Sequence, residues 1–339
     1  QFSDRRGKHI SDQLHVGGVT QTEHGIILHD EIIGNTEGIV VVTKHAKREA
    51  QINSVHPERD KNKPWKSARA IGGWEYVVMR PRMCDYVLSM PRGAQIMYPK
   101  DIAQVIQLGD IRKGMNILES GAGSGAMSLN LLDAVGEQGS VTTIELRPEF
   151  ARVAQANAHV YYGSMPSWWN VKVGDFDSVA QTLEEHSFDR IMLDMLDPWN
   201  RLEQAYRVIA PGGVLVMYVT TTTQLSRVAE ALRDSRQWTE PEIQETLERN
   251  WKVQGLAVRP EHQMIGHTGF LVITRAIASG FEALQKRDRV TKDTVNDIDD
   301  LTIEEKESRL HDLELRDISD RKLRKVLADL QEQVSRLEK

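Results

Sequence analysis

Residues 117–126, Ile-Leu-Glu-Ser-Gly-Ala-Gly-Ser-Gly-Ala, constrain the fold of this chain more than any other stretch. Ile117 and Leu118 close a short apolar run, Glu119 follows, and glycines stand at 121, 123 and 125. The next run, Met127-Ser128-Leu129-Asn130-Leu131-Leu132, has helical apolar spacing. The segment therefore predicts a strand, a glycine turn and the start of a helix. Glycines allow the sharp turn and the close approach of a ligand, and the first N–H groups of the helix have no partner within it. Taken alone, Gly121, Gly123 and Ala126 also satisfy the dinucleotide pattern G-x-G-x-x-A, so a nicotinamide cofactor and S-adenosylmethionine both remain open at this point. The second strand, Val141-Thr142-Thr143-Ile144, ends at Glu145, where a carboxylate suits the two ribose hydroxyls that either cofactor carries.

The rest of the chain extends that unit. A helix is expected over 148–159, a strand over 171–173 ending in Gly174-Asp175-Phe176, and a strand over 188–193 ending at Asp194. Ala210-Pro211-Gly212-Gly213 precedes a buried strand over 214–219, a helix spans 225–232, and 251–258 and 269–274 read as two closing strands. Strands alternating with helices predict an α/β, Rossmann-like parallel sheet. Gly121, Glu145, Asp175 and Asp194 all fall at strand C-termini, and so converge on one crevice. Upstream, residues 1–91 are rich in short β-branched runs punctuated by glycines and predict a small β-rich N-terminal domain. Within it, the basic stretch 44–69 has almost no apolar periodicity; a surface loop is favoured over a phosphate-contacting arm. Residues 92–280 form the sheet domain. From 281 to 339 the chain is charged, without Gly or Pro, and Leu323, Leu327, Leu330, Val334 and Leu337 trace a short heptad seam, so a helical tail with a possible short coiled coil is expected.

Composition excludes several classes. The formal net charge of −6 over 339 residues carries no global nucleic-acid signature, although a local basic surface is compatible with it. Cys84 is the only cysteine, so neither a disulfide framework nor a cysteine-based metal site is expected. No apolar run reaches transmembrane length and no signal-peptide pattern opens the sequence, so a cytoplasmic protein without membrane partners is expected.

These stretches together resemble a class I S-adenosylmethionine-dependent methyltransferase. More closely, Met90-Pro91-Arg92-Gly93-Ala94-Gln95, Tyr98-Pro99-Lys100-Asp101, Asp194-Met195-Leu196-Asp197-Pro198-Trp199, Arg259-Pro260-Glu261-His262 and Gly266-His267-Thr268-Gly269-Phe270-Leu271 are similar to the bacterial TrmI family, tRNA (adenine-N1)-methyltransferases acting at position 58, and especially to actinobacterial members. The resemblance covers roughly residues 7–280, with 44–69 as an insertion and the tail as an addition. It implies S-adenosylmethionine as cofactor, tRNA as substrate, a homotetramer and no metal. It places cofactor contacts at Glu119, Gly121, Gly123, Ser124, Gly125, Ala126, Met127, Glu145, Phe150, Asp175, Phe176 and Asp194, and catalysis at Asp194. Tyr98, one helix upstream of the glycine turn, is a second catalytic candidate if it faces the pocket; a buried core tyrosine is the competing account.

The chemistry supports Asp194 independently. Adenine N1 is a weak nucleophile that becomes cationic on methylation, and a carboxylate near N1 and N6 would orient the base, stabilise that charge and accept a proton. Asp197 is the rival, because Asp197-Pro198-Trp199 resembles the Asp-Pro-Pro-Tyr loop of exocyclic-amine methyltransferases, though with one proline instead of two. A base inside folded tRNA must be splayed out to be reached. Trp199 could stack on it, and Arg92, Lys100, Arg259 and His267 could contact phosphates around the mouth, although each reads equally as an ordinary surface residue.

Overall fold

The computed structural model describes residues 1–44 and 73–284; the basic insertion beyond Lys44 and the tail from 285 onward lie outside the described residues. The first lobe contains β1 (Phe2–Asp4), β2 (His9–Ile10), β3 (Val19–Thr22), β4 (Gly25–Leu28), β5 (Ile39–Val42) and β6 (Glu75–Val78). Four of them form an antiparallel sheet in the order β2-β1-β6-β5, and β3 and β4 form a separate hairpin. Alternation along these strands buries Phe2, Ile27, Val41, Tyr76 and Val78 in one small core. The strand expected from His15 begins only at Val19, because Gly17 turns at φ 73° and donates its N–H to Asp30.

Helix α1 (Met83–Ser89) departs from the expected β-rich lobe. Its Val87, and Met90 just beyond it, are buried in the core of the following domain, and the Tyr86 hydroxyl donates to the Asn157 carbonyl at 2.8 Å. Helix α1 therefore packs with the residues that follow it. Helix α2 (Pro99–Leu108) follows, with Pro99 in its first turn, where a missing N–H costs nothing.

The sheet domain then runs β7 (Asn116–Ser120), α3 (Ala126–Val135), β8 (Ser140–Glu145), α4 (Pro148–Tyr162), β9 (Trp169–Val173), α5 (Phe176–Ala180), β10 (Phe188–Asp194), α6 (Leu202–Val208), β11 (Ile209–Val219), α7 (Thr222–Ser235), β12 (Glu242–Gln244), β13 (Trp251–Gln254), β14 (Ala257–Pro260) and β15 (Phe270–Arg275). Seven strands lie in the order β12-β15-β11-β10-β7-β8-β9. The five from β9 to β11 are parallel, and β15 and β12 close the edge antiparallel. Strand order reverses between β7 and β10, and that switch point is where open α/β sheets place their ligands. Alternate residues of the buried strands feed two apolar layers: Met192 and Val216 pack with α3, and Ile191 and Leu215 pack with α6 and α7.

One expected strand is misplaced. Residues 251–258 do not close the sheet; β12 does, and β13 and β14 pair only with each other. Trp251, Val253 and Val258 are each more than half exposed on that hairpin, and Gly255 turns between its strands at φ 57°. Alternating apolar residues there signalled a strand correctly, but not its partner.

Candidate active site at the strand switch point

The glycine turn is built by contact as much as by flexibility. Gly121 has φ 95°, and a Cβ there would lie 2.1 Å from the Asp194 carbonyl oxygen, so only glycine lets β7 leave the sheet against the end of β10. Its N–H donates to the Ile144 carbonyl at 3.0 Å. Gly125, at φ 90°, precedes α3, and a Cβ on it would press on the Ala154 backbone of α4 at 3.2 Å. No side chain caps α3, so the N–H groups of its first turn lie at the switch point without a capping partner.

Three carboxyl groups share the same face of the sheet. Glu119 is paired in register with Met192 on one side and Thr143 on the other. It is 1% exposed; its Oε2 accepts the Ser128 and Thr143 hydroxyls at 2.6 and 2.7 Å, while its Oε1 has no partner among the described residues. Burial pushes its carboxyl up to about 7 despite those two hydroxyls. Glu145 ends β8, buried, with Oε2 accepting from the Gly123 N–H at 3.1 Å and Oε1 from the Arg147 N–H at 3.0 Å. Asp194 ends β10 and is pushed up to about 6, first by burial and then by the charge of Glu145.

A roof crosses this floor. Ser124 Oγ accepts the Gly93 and Ala94 N–H groups at 3.2 and 3.3 Å. Asn157, buried on α4, donates from one amide nitrogen to the Pro91 and Ser124 carbonyls, both at 2.9 Å. A Cβ at Gly93 would meet the Phe150 ring at 2.9 Å, so that ring lies beneath the segment, with the Arg147 guanidinium 3.9 Å over it. Asn157 was not anticipated: an asparagine inside a helix gives no sequence signal, because both of its contacts are distant along the chain.

The remaining candidates divide. Asp175 caps α5, accepting the Ser178 N–H at 3.2 Å, and Met127 and Phe176 are buried in the two apolar layers. Ala126 opens α3 and is buried. Tyr98 immediately precedes α2, half-buried, with its carbonyl accepting from Asp101 and Ile102. Asp197 is more exposed, its Oδ2 accepting from Arg201 at 3.1 Å and Asn200 at 3.0 Å. Trp199 packs partly on the second layer, with Arg227 5.6 Å from its ring centre. Arg92 is exposed and donates to the Leu88 carbonyl, and Arg259 is exposed on β14. His267 faces two acceptors, Glu245 Oε2 at 2.8 Å and the Thr220 carbonyl at 2.9 Å, which together raise its pKa. Lys100 is the correction. It was expected at the surface among the phosphate contacts, but it is buried, and its Nζ donates to Asp101 Oδ1 at 2.7 Å, the Thr246 carbonyl at 2.7 Å and Thr268 Oγ1 at 2.5 Å. A lysine with its three donors used inside the fold is not available to a phosphate.

A seven-stranded sheet with this switch point, an uncapped glycine turn after β7 and an acid ending β8 define a class I S-adenosylmethionine-dependent methyltransferase. Comparison with known proteins agrees. The family model described as the tRNA methyltransferase complex GCD14 subunit matches residues 73–259, and that described as TrmI-like N-terminal matches residues 1–41. The tRNA (adenine(58)-N(1))-methyltransferase TrmI of Thermus thermophilus is 34% identical over 208 residues, which cover 60% of this chain and 78% of that protein. The tRNA (adenine(57)-N(1)/adenine(58)-N(1))-methyltransferase TrmI of Methanocaldococcus jannaschii is 31% identical over 228 residues, covering 60% and 79%. Among solved structures, an S-adenosylmethionine-dependent O-methyltransferase from Thermotoga maritima superposes with a TM-score of 0.69 at 25% identity, covering 83% of this chain and 93% of that one. The tRNA (m1A58) methyltransferase TrmI of Aquifex aeolicus shares the fold, with a TM-score of 0.62 at 24% identity and coverage of 79% and 92%. The chain belongs to the TrmI family of tRNA methyltransferases.

Proposed function

We propose that the chain methylates N1 of an adenine in tRNA, at position 58 of the T-loop, using S-adenosylmethionine. One observation carries the reading: the backbone carbonyl of Asp194 lies against Gly121 where β10 ends, so the residue whose carboxyl suits the adenine and the turn suited to the cofactor meet at one point.

The residues fit the cofactor. Glu145, which ends β8 beside the glycine turn, would hold the two ribose hydroxyls. The N–H groups at the start of α3 suit the methionyl carboxylate, and the unpartnered Glu119 Oε1 suits a cationic amine. Asp175 and Phe150 flank the adenine end, under the roof that Ser124 and Asn157 hold down. When bound, S-adenosylmethionine supplies the electrophilic methyl group. Asp194 accepts the N6 hydrogen bond of the target adenine and so orients the N1 lone pair. It stabilises the positive charge that develops on the purine, and it takes the proton that the more acidic N6 then releases. Trp199, Tyr98, Arg92 and Arg259 are left to contact the splayed nucleotide and its backbone, whereas both ring nitrogens of His267 are already used by Glu245 and the Thr220 carbonyl.

The grouping with actinobacterial members rests on the stretches at 90–95, 98–101, 194–199, 259–262 and 266–271. A homotetramer and a cytoplasmic site of action complete the reading; the exposed apolar residues of the β13–β14 hairpin supply a surface for association. The experiment is methylation of bulk unmodified tRNA, followed by nucleoside mass spectrometry and mapping. 1-Methyladenosine at position 58 is expected. N6-methyladenosine would move the chemistry to the Asp197-Pro198-Trp199 loop, and a methyl ester or ether on another substrate would replace the reading with O-methyl transfer.

A further inference from the structure

The buried lysine that is withdrawn from the surface sits in a network no part of the mechanism above uses. Lys100 Nζ donates to Asp101 Oδ1 and to Thr268 Oγ1, and Thr268 Oγ1 donates to Asp101 Oδ2 at 2.6 Å. The next residue, Gly269, lies directly against the Tyr218 ring. The Thr268 hydroxyl thus joins α2 to the segment at 266–269, which in turn packs on Tyr218 of β11 through Gly269. Tyr218 is the register partner of Asp194 across the parallel β10–β11 pair, so their side chains stand on one face of the sheet. The turn lies on the Tyr218 ring: a Cβ at Gly269 would be 2.3 Å from that ring. His267 fastens the other side of the turn to Thr220 and Glu245.

Stability alone is a poor reason for such an arrangement. Burying a lysine and an aspartate costs desolvation that their attraction seldom exceeds, and apolar residues of the same volume often serve as well. What a saturated ionic cluster provides is a fixed geometry. Burial keeps the Tyr218 hydroxyl protonated, pushed up to about 12, so it remains a donor throughout the working range.

We propose that Lys100 and Asp101 are positioning residues for the target base. Through Thr268 they fix the Tyr218 ring and the 266–269 turn beside Asp194, as the wall against which the flipped adenine is held. The inference rests on the adenine-N1 reading and adds to it the part of the site that aligns the acceptor rather than the cofactor. None of these residues belongs to the cofactor turn or its roof, so the network predicts a separation that general destabilisation would not produce.

The test compares Thr268→Val, which keeps the shape and removes the hydroxyl, with Thr268→Ser, which keeps the hydroxyl, alongside Lys100→Met and Tyr218→Phe. Each is measured for thermal midpoint, S-adenosylmethionine affinity by calorimetry, and single-turnover methylation at saturating unmodified tRNA. Thr268→Val and Lys100→Met should bind cofactor within about twofold of wild type while methylation falls by about ten- to a hundredfold, the scale of an ångström-sized misalignment. Thr268→Ser should restore the rate to within about threefold. Tyr218→Phe, which disturbs no ion pair, serves if the first two fail to fold, and should lose several-fold in rate with an unchanged melting point. A wild-type rate in Thr268→Val or Tyr218→Phe overturns the proposal. So does a loss of cofactor affinity parallel to the loss of rate, or a serine variant as slow as the valine. A wild-type protein that yields no 1-methyladenosine overturns the adenine-N1 reading itself, and is seen before any variant is made.

Discussion

Asp194 and Asp197 close the same sequence motif in opposite surroundings. Asp194 is desolvated at the switch point, whereas Asp197 already spends an oxygen on Arg201 and Asn200. Asp194→Asn, nearly isosteric and uncharged, should therefore keep cofactor affinity and lose about two or more decades of single-turnover rate, while Asp197→Asn should lose little. The reverse ranking would transfer the chemistry to Asp197. With the Asp194 carboxyl at about 6, it is neutral below that pH and cannot take the proton from N6. The rate should accordingly rise with pH through about 6 and level off, and a flat profile between pH 5 and 8 would remove Asp194 as proton acceptor. Glu119 gives a stability counterpart. Its carboxyl is raised from 4.5 to about 7 in the fold, so the native state binds the proton more tightly than the unfolded chain does. That stabilisation is fully present below about 4.5 and is lost as pH rises through about 7, a span worth roughly 3 kcal/mol at most. Glu119→Gln, which does not titrate, should melt below wild type at pH 5 and approach or pass it at pH 8; parallel curves would show that Glu119 does not titrate there.

At the scale of elements, the roof and the floor of the cofactor site are held by different parts of the chain. Asn157 on α4 clasps the Pro91 and Ser124 carbonyls together with one amide nitrogen. Asn157→Asp presents a carboxylate to two carbonyls and can donate to neither, so S-adenosylmethionine affinity should fall by about ten- to a hundredfold, with a smaller change in rate at saturating cofactor, since a buried group left without its partner costs about 1–3 kcal/mol. Equal calorimetric affinities for the two proteins would show that the clasp does not shape the pocket. This contact was invisible in the sequence for a physical reason: β7, its glycines, Glu145 and Asp194 announce themselves through local order and period, whereas Asn157 and Lys100 act through partners far along the chain. Lys100 is the sharper case, because Tyr-Pro-Lys-Asp marks the start of a helix plainly and says nothing of which face is buried. The strand at 251–258 failed in a related way. Its alternation was legible, but an apolar residue on a strand declares only that something covers it, not which sheet.

For the whole molecule, that hairpin is a cluster of exposed apolar residues among those described. Trp251, Val253, Leu256 and Val258 are exposed together on β13, β14 and their turn. If they are the contact of the proposed homotetramer, Val253→Lys with Val258→Lys should lower the mass measured by light scattering and leave the melting of a single subunit's sheet little changed. An unaltered tetramer would place the interface elsewhere. The close fit of Gly121 against the Asp194 carbonyl has a further consequence for how this scaffold can change over generations. The step that admits the methyl donor and the step that receives the acceptor share one backbone contact, so neither can drift without dragging the other. Lineages that acquire a new acceptor must leave this hinge of the sheet untouched and do their remodelling at the rim of the site.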